Sequence, residues 1–207
     1  MRIIVVLWIL YMFLSNTIPI SHNEGEEVLI YRDYYGVPHI YADSNYALFF
    51  GQGYVEAEDH LEQMLINYKM VEGRLAEIYG REYLESDKLM RLLRVKEIVE
   101  EKYHELSVYA REAAEGFADG VNYYMLTHPE ETPVWAESVT PQQVVAWGKM
   151  VSLSRPLNRL FEDMRRGNIT ISLPISIPRE FFSNEWVVSG DRTVDGYVML
   201  QCDPHLP

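Results

Sequence analysis

The chain has 207 residues, which is enough for one domain, and its formal net charge is −13. Apolar residues make up 48% and charged residues 24%, as in an ordinary globular protein. The acidic balance argues against a nucleic-acid partner, because the chain lacks a basic footprint that could neutralise phosphates. Four arginines between residues 155 and 166 are a local exception, which we interpret as a solvated face or a linker. The single cysteine, Cys202, excludes an internal disulfide and a cysteine-based metal cluster.

The N-terminus has the pattern of an export signal. Met1 and Arg2 precede twelve apolar residues, IIVVLWILYMFL, a run with the length of a signal-peptide core and short for a membrane span. We interpret residues 1–22 as a signal peptide or an N-terminal anchor; a buried strand or helix is the alternative. The protein is therefore expected to be exported (periplasmic, extracellular or membrane-anchored) and to contact a membrane only through this segment.

Two extended segments and a series of helices follow. The alternation in VLIYRD (28–33) predicts a strand, and VPHIYAD (37–43) resumes an extended run after a YYG turn. Asp43 or Ser44 is predicted to cap the first helix. Apolar residues three or four apart predict helices, in chain order, over residues 45–79, 89–106, 107–128 and 140–154.

Gly51 and Gly53 fall inside the first predicted helix. Glycine in a helix interior costs about 1 kcal/mol relative to alanine. The sequence therefore predicts either a kink in this helix or the close approach of another segment.

The last part of the chain has an extended pattern. Residues 165–182, with prolines and small or β-branched residues, are predicted to form an irregular connector or edge strand. Residues 183–202 predict a hairpin around the sequence DRTVDG. Because an isolated two-stranded hairpin is marginal in water, we expect its sheet partners to lie outside these 207 residues.

Ser183 stands at the start of this hairpin, before the apolar run Trp186–Val188. A serine hydroxyl is a poor nucleophile without a base, and Ser183 lacks the flanking glycines of a nucleophile elbow. If the bond before Ser183 is cut, the freed α-amine, with a pKa of about 7.7–8.0 in peptides, lies close enough to act as base. On the residues alone, a strand-capping serine is the simpler interpretation.

Six sequence blocks occur in series: IYRDYYGVPHIYADS (30–44), ALFFGQGYVEAEDHLEQM (47–64), EGRLAEIYGREYLESDKLMR (72–91), EGFADGVNYYM (115–125), TPQQVVAWGKMVS (140–152) and SNEWVVSGDRTVDGYVMLQCDPHL (183–206). The first five resemble the A-chain of the penicillin acylase (penicillin amidase) family of N-terminal nucleophile hydrolases. The sixth resembles the start of that family's B-chain.

The resemblance implies a fold class and a division of the chain. The fold is expected to be α+β: a mostly helical A-chain region with N-terminal strands and a C-terminal hairpin, forming a fragment of the αββα N-terminal nucleophile hydrolase fold. The expected divisions are an A-chain-like helical region at 26–164, a connector or spacer remnant at 165–182, and the truncated start of a B-chain-like nucleophile domain at 183–207.

The resemblance also implies roles for individual residues. Ser183 occupies the position of the family's N-terminal nucleophile, which autoproteolysis of a zymogen between Phe182 and Ser183 exposes. His205 lies where acylases of the family have a residue that contacts and orients the nucleophile. Without the resemblance, a histidine beside Pro204 reads as a turn or surface residue.

Three further residues fall near A-chain sites of the family. Glu162 lies near a calcium ligand, so structural calcium is the one cofactor expected; a solvated carboxylate at a helix end is the alternative. Arg155 and Leu157 lie where the family's A-chain lines the acyl pocket.

The implied function is that of an amidohydrolase of the penicillin acylase type, linked to antibiotic chemistry. It would hydrolyse a linear amide (N-acyl) bond of a small molecule through an acyl-enzyme. The family's oxyanion donors lie further along the B-chain, so we expect the 207 residues alone to be inactive and the missing B-chain to be their partner. The alternative is a non-enzymatic exported remnant or interaction module.

Overall fold

The computed structural model describes residues 17–21, 27–167, 183–194, 196–197 and 199–204. The strands are β1 (Thr17–Ser21), β2 (Glu27–Arg32), β3 (Pro38–Ala42), β4 (Ser183–Val188) and β5 (Met199–Pro204). The α-helices are α1 (Asn45–Val71), α2 (Ala76–Tyr79), α3 (Leu84–Leu93), α4 (Val95–Lys102), α5 (Val108–Thr127) and α6 (Pro141–Arg166). The chain forms two units, Met1–Trp147 and Gly148–Pro207.

A three-stranded antiparallel sheet, in the order β1-β2-β3, opens the first unit. Its side chains alternate, because Val28 and Ile30 are only 3% and 4% exposed whereas Leu29 and Tyr31 face outward. The strands predicted at 28–33 and 37–43 are confirmed.

Strand β1 falls within the segment 1–22 that the sequence analysis interprets as a signal peptide or anchor, and residues 1–16 and 22 lie outside the described residues. Within the described part of the chain, no helix combines the length and apolar character needed to cross a bilayer. The assignment of residues 1–22 stays a prediction.

The first helix begins as predicted but ends earlier. Ser44 is the N-cap, and its Oγ accepts a hydrogen bond from the backbone amide of Ala47 at 3.1 Å. The predicted extension to residue 79 is wrong: α1 ends at Val71, because Gly73 takes a left-handed φ of +64° that stops the helix. A kink does occur inside α1, but at His60 rather than at the glycines.

Glycines permit an unusually close crossing of α1 and α5. A Cβ added to Gly120 would lie 2.1 Å from the carbonyl oxygen of Phe50, and one added to Gly116 would lie 2.3 Å from that of Tyr46. A Cβ on Gly53 would meet a carbonyl oxygen of α5 at 2.1 Å. The predicted close approach at Gly53 is therefore confirmed. The core beside this crossing includes Phe50, Tyr54, Leu61, Ala118 and Val121.

The single helix predicted over residues 89–106 is wrong, since the structure has two helices, α3 and α4. The break is at Arg94, which adopts a left-handed φ of 54°. Met90 and Val95 are both 1% exposed, although a continuous helix would place positions five apart about 140° away from each other. The break allows both side chains to be buried.

The last two helices differ in how well they are predicted. Ser107 caps α5 as expected, accepting a hydrogen bond from the amide of Ala110 at 3.2 Å. Helix α6 continues twelve residues past its predicted end at 154, through Pro156 to Arg166, because good helix formers follow the proline. The arginines between residues 155 and 166 are all exposed, which confirms the solvated face.

An ion network joins the end of α1 to the loop before α6. The guanidinium of Arg74 donates to both carboxylate oxygens of Glu137 at 2.8 Å, and Lys69 Nζ lies 3.0 Å from the same carboxylate. Hydrogen bonds from Arg74, and then from Lys69, lower the pKa of Glu137 to about 2. Lys69 is only 6% exposed, so the carboxylate of Glu137 pairs with an ammonium group that is nearly buried.

A buried carboxylate organises the turn that follows α1. Asp87, 6% exposed, accepts hydrogen bonds from the backbone amides of Leu75 at 2.8 Å and Ala76 at 2.9 Å. These amides belong to the first turn of α2 and have no partner within the helix. Asp87 therefore anchors α3 to this turn.

Candidate active site

The β4–β5 hairpin carries the predicted nucleophile. The two strands are antiparallel, and their Cα pairing runs from Val188 opposite Met199 to Ser183 opposite Pro204. The hairpin predicted over residues 183–202 is confirmed, and its pairing extends two residues further. Ser183 is the first residue of β4, so it lies at the open end of the hairpin, away from the connecting loop.

The neighbours of Ser183 in the predicted chemistry are outside the described residues. Phe182, which would supply the carbonyl of the cleaved bond, directly precedes β4, and His205 directly follows β5. The structure thus defines the backbone position of Ser183, while the role of His205 stays a prediction.

The remaining predicted site residues all lie on α6. Leu157 is 9% exposed, whereas Arg155 and Glu162 are exposed. Arg155 and Leu157 are two positions apart, which is about 200° around a helix, so they lie on different faces. The buried positions nearest to Leu157 at helical spacing are Met150 and Ser154. Met150 and Ser154 are four residues apart, and Ser154 and Leu157 are three apart. This helical spacing marks one buried face of α6, and the sequence prediction did not use it.

Glu162 does not form a cation site with other described residues. Among those residues, no group of three or more histidine, cysteine or acidic side chains is arranged to hold a metal ion. Calcium takes six to eight oxygen ligands, and one exposed carboxylate supplies at most two. A calcium ion at Glu162 would therefore need further oxygen ligands, and calcium binding stays a prediction.

Comparison with known proteins identifies the family. The family model for penicillin amidase matches residues 27–207, from β2 through the hairpin. The chain belongs to the penicillin amidase family. This confirms the resemblance in the sequence blocks, including the block that contains Ser183.

Individual relatives agree with the family match. Penicillin G acylase of Escherichia coli is 31% identical over 129 residues, covering 62% of this chain and 15% of that protein. The acyl-homoserine lactone acylase QuiP of Pseudomonas fluorescens is 34% identical over 120 residues, covering 57% of this chain and 15% of that protein. The chain thus matches about 15% of the length of these curated relatives.

A solved structure has a similar fold over most of the chain. A thermostable penicillin G acylase from Alcaligenes faecalis matches with a TM-score of 0.57 and 26% identity, over 75% of this chain and 98% of the matched chain. The predicted fold, mostly helical with a small hairpin, is consistent with part of that enzyme's fold.

Proposed function

We propose that this penicillin amidase family chain belongs to an exported amidohydrolase in which Ser183 is the N-terminal nucleophile. The observation that carries the proposal is the coincidence of two features. Ser183 begins a paired β-strand, and the family match runs through that strand to residue 207. A nucleophile of this kind needs a rigid strand behind it, because its own backbone amine must act as the base.

The first step we propose is hydrolysis of the Phe182–Ser183 peptide bond. The hydroxyl oxygen of Ser183 attacks the carbonyl carbon of Phe182, and the C–N bond breaks as the nitrogen takes the hydroxyl proton, which gives an ester and a free α-amine. Water then hydrolyses the ester, so the products are a carboxylate at Phe182 and a free hydroxyl and α-amine at Ser183. An α-amine has a pKa of about 7.7–8.0 in peptides, so a substantial fraction is neutral near pH 8 and able to accept a proton. The zymogen is inactive because this amine is blocked in the peptide bond.

The second step is acyl transfer from a small-molecule N-acyl amide. The α-amine of Ser183 accepts the hydroxyl proton, directly or through one water, as Oγ attacks the amide carbonyl. The C–N bond of the substrate then breaks, and the leaving amine takes the proton. Water hydrolyses the resulting ester, which releases the acid and restores Ser183.

Neighbouring residues are proposed to hold this machinery. We propose that His205, which directly follows the residue paired with Ser183, contacts and orients the nucleophile, as the family resemblance implies. For the acyl pocket we propose Leu157, whose apolar side chain suits an acyl chain, whereas Arg155 lies on a different face of α6 and its role stays a prediction.

The partner we propose is the B-chain-like part of the enzyme. The outward face of the first sheet exposes Leu29, Tyr31 and Tyr41, at 42%, 41% and 60% of their surface. An apolar patch of this kind is typical of a surface that another chain covers. We expect the 207 residues alone to give no turnover, because the resemblance puts the oxyanion donors further along the B-chain, and one lost donor costs about 10²–10³ in rate.

The test is amide hydrolysis by protein purified from its source cells, with release of amine measured over a panel of N-acyl amides. Ser183→Ala is expected to abolish turnover. Ser152→Ala, which changes an exposed serine on α6, is the matched control and is expected to retain it. Turnover that survives Ser183→Ala would refute the nucleophile. No turnover in any form would favour the alternative, a non-enzymatic exported module that binds a partner through the outward sheet face.

A further inference from the structure

The loop between β4 and β5 is long for a hairpin connection. It spans residues 189–198, whereas two to five residues are usual. A short turn fixes the register of a hairpin by its own geometry, but a long loop does not. The register that sets Ser183 opposite Pro204 then depends on the side-chain pattern of the strands and on contacts inside the loop.

Thr193 provides one such contact. Its hydroxyl lies 2.7 Å from the carbonyl oxygen of Tyr197 and 3.1 Å from that of Gly190. Gly190 is two residues beyond the end of β4, and Tyr197 is two residues before the start of β5. The hydroxyl thus bridges the two limbs of the loop close to the innermost strand pair, Val188 and Met199.

Two glycines provide the second contact. A Cβ added to Gly190 would lie 2.3 Å from the carbonyl oxygen of Gly196, so the two limbs touch backbone to backbone. Gly196 itself has a left-handed φ of +76°, which glycine adopts without strain. A side chain at position 190 would push the limbs apart at the same level as the Thr193 bridge.

We propose that Thr193 and Gly190 are positioning residues that lock the hairpin register and thereby set the location of Ser183. Neither residue contacts the reacting atoms, since the loop is at the far end of the hairpin. They act through the six residue pairs between the loop and the strand end. The catalytic consequence rests on the proposed function of Ser183, whereas the register lock itself does not.

A change of the hairpin register would alter the position of Ser183 in the proposed reaction. A slip of one residue would place Ser183 opposite Asp203 or His205 instead of Pro204, and it would turn every side chain of one strand to the other face. A slipped register would therefore change which residues flank Ser183 across the hairpin. Loss of the Thr193 hydroxyl is expected to lower the ratio of the correct register to slipped registers about fivefold, as for one hydrogen bond.

Cys202, the only cysteine of the chain, allows the register to be measured without any activity. Its Cα partner is Glu185, and directly opposed residues of an antiparallel pair are close enough for a disulfide. Glu185→Cys is therefore expected to cross-link to Cys202 when oxidised glutathione is added, with the yield read by mass spectrometry. Asn184→Cys is the matched control, because its Cα partner is Asp203 and not Cys202, and it is expected to cross-link poorly.

The loop variants are then compared in the Glu185→Cys and Asn184→Cys backgrounds, and the ratio of cross-linking at position 185 to cross-linking at position 184 is measured. Thr193→Val is expected to lower this ratio about fivefold, Gly190→Ala at least as much, and Thr193→Ser is expected to restore it. Circular dichroism checks that each variant remains folded. An equal ratio of cross-linking at positions 185 and 184 in Thr193→Val and the parent would overturn the proposal, and so would preferred cross-linking of Asn184→Cys in the parent. A confirmed lock without any Ser183-dependent hydrolysis would refute the proposed function and leave the register claim standing.

Discussion

The crossing of α1 and α5 is tight enough to give a sharp prediction for Gly120→Ala. The added Cβ would lie 2.1 Å from the carbonyl oxygen of Phe50, whereas carbon–oxygen contacts of this type lie at about 3.3–3.6 Å. The two backbones must therefore separate by about 1 Å. Overpacking of this kind costs up to about 3 kcal/mol, and alanine recovers about 1 kcal/mol of helix propensity. The net expectation is a loss of about 2 kcal/mol in the free energy of unfolding.

Thermal unfolding followed by circular dichroism measures this loss. For a chain of this length, 2 kcal/mol corresponds to a fall in Tm of about 4–8 °C. Gly148→Ala is the matched control, because Gly148 lies inside α6 with no atom within 4 Å of its added Cβ. It is expected to raise the Tm slightly through helix propensity alone. If Gly120→Ala shifted the Tm in the same direction as Gly148→Ala, the close helix crossing would be refuted.

Two further predictions concern polar groups of the first unit. Asp87→Asn is expected to lower the free energy of unfolding by about 2 kcal/mol, because an amide cannot accept from both Leu75 and Ala76; equal urea midpoints for variant and parent would contradict this. The pKa of Glu137 is lowered to about 2 from 4.5, so its stabilising effect is complete above about pH 5 and is lost as the pH falls through 4.5 towards 2. Because the side chain is 53% exposed, we expect only about 1 kcal/mol. Urea midpoints at pH 6 and pH 3 should converge for the parent and Glu137→Gln on acidification, and a constant gap would contradict the network.

Local signals in the sequence predicted the starts of elements better than their ends. Ser44 and Ser107 cap helices as expected, because a capping side chain acts on amides three residues away. The ends depend on tertiary contacts, as at Arg94, where burial on both sides breaks a helix that its pattern would continue. The ion pair of Arg74 and Glu137 joins residues 63 apart in sequence, a contact that no local pattern predicts.

In the candidate site, too, local sequence predicted some features and not others. The alternation before and after the loop predicted the hairpin and put Ser183 at its first position, which the register confirms. The proposed chemical role of Ser183 came from the family resemblance, because a serine at the start of a strand does not by itself indicate a nucleophile. The faces of α6 were not predicted: Arg155 and Leu157 were both assigned from the family resemblance, and they lie on different sides of the helix.

The most direct test of the central claim is N-terminal analysis of the protein isolated from its source cells. If Ser183 becomes a terminal nucleophile, a polypeptide that begins Ser-Asn-Glu-Trp is expected, and the Ser183→Ala protein is expected to remain uncut at this bond. A mature protein in which Phe182 and Ser183 remain joined while amide hydrolysis proceeds would contradict the account.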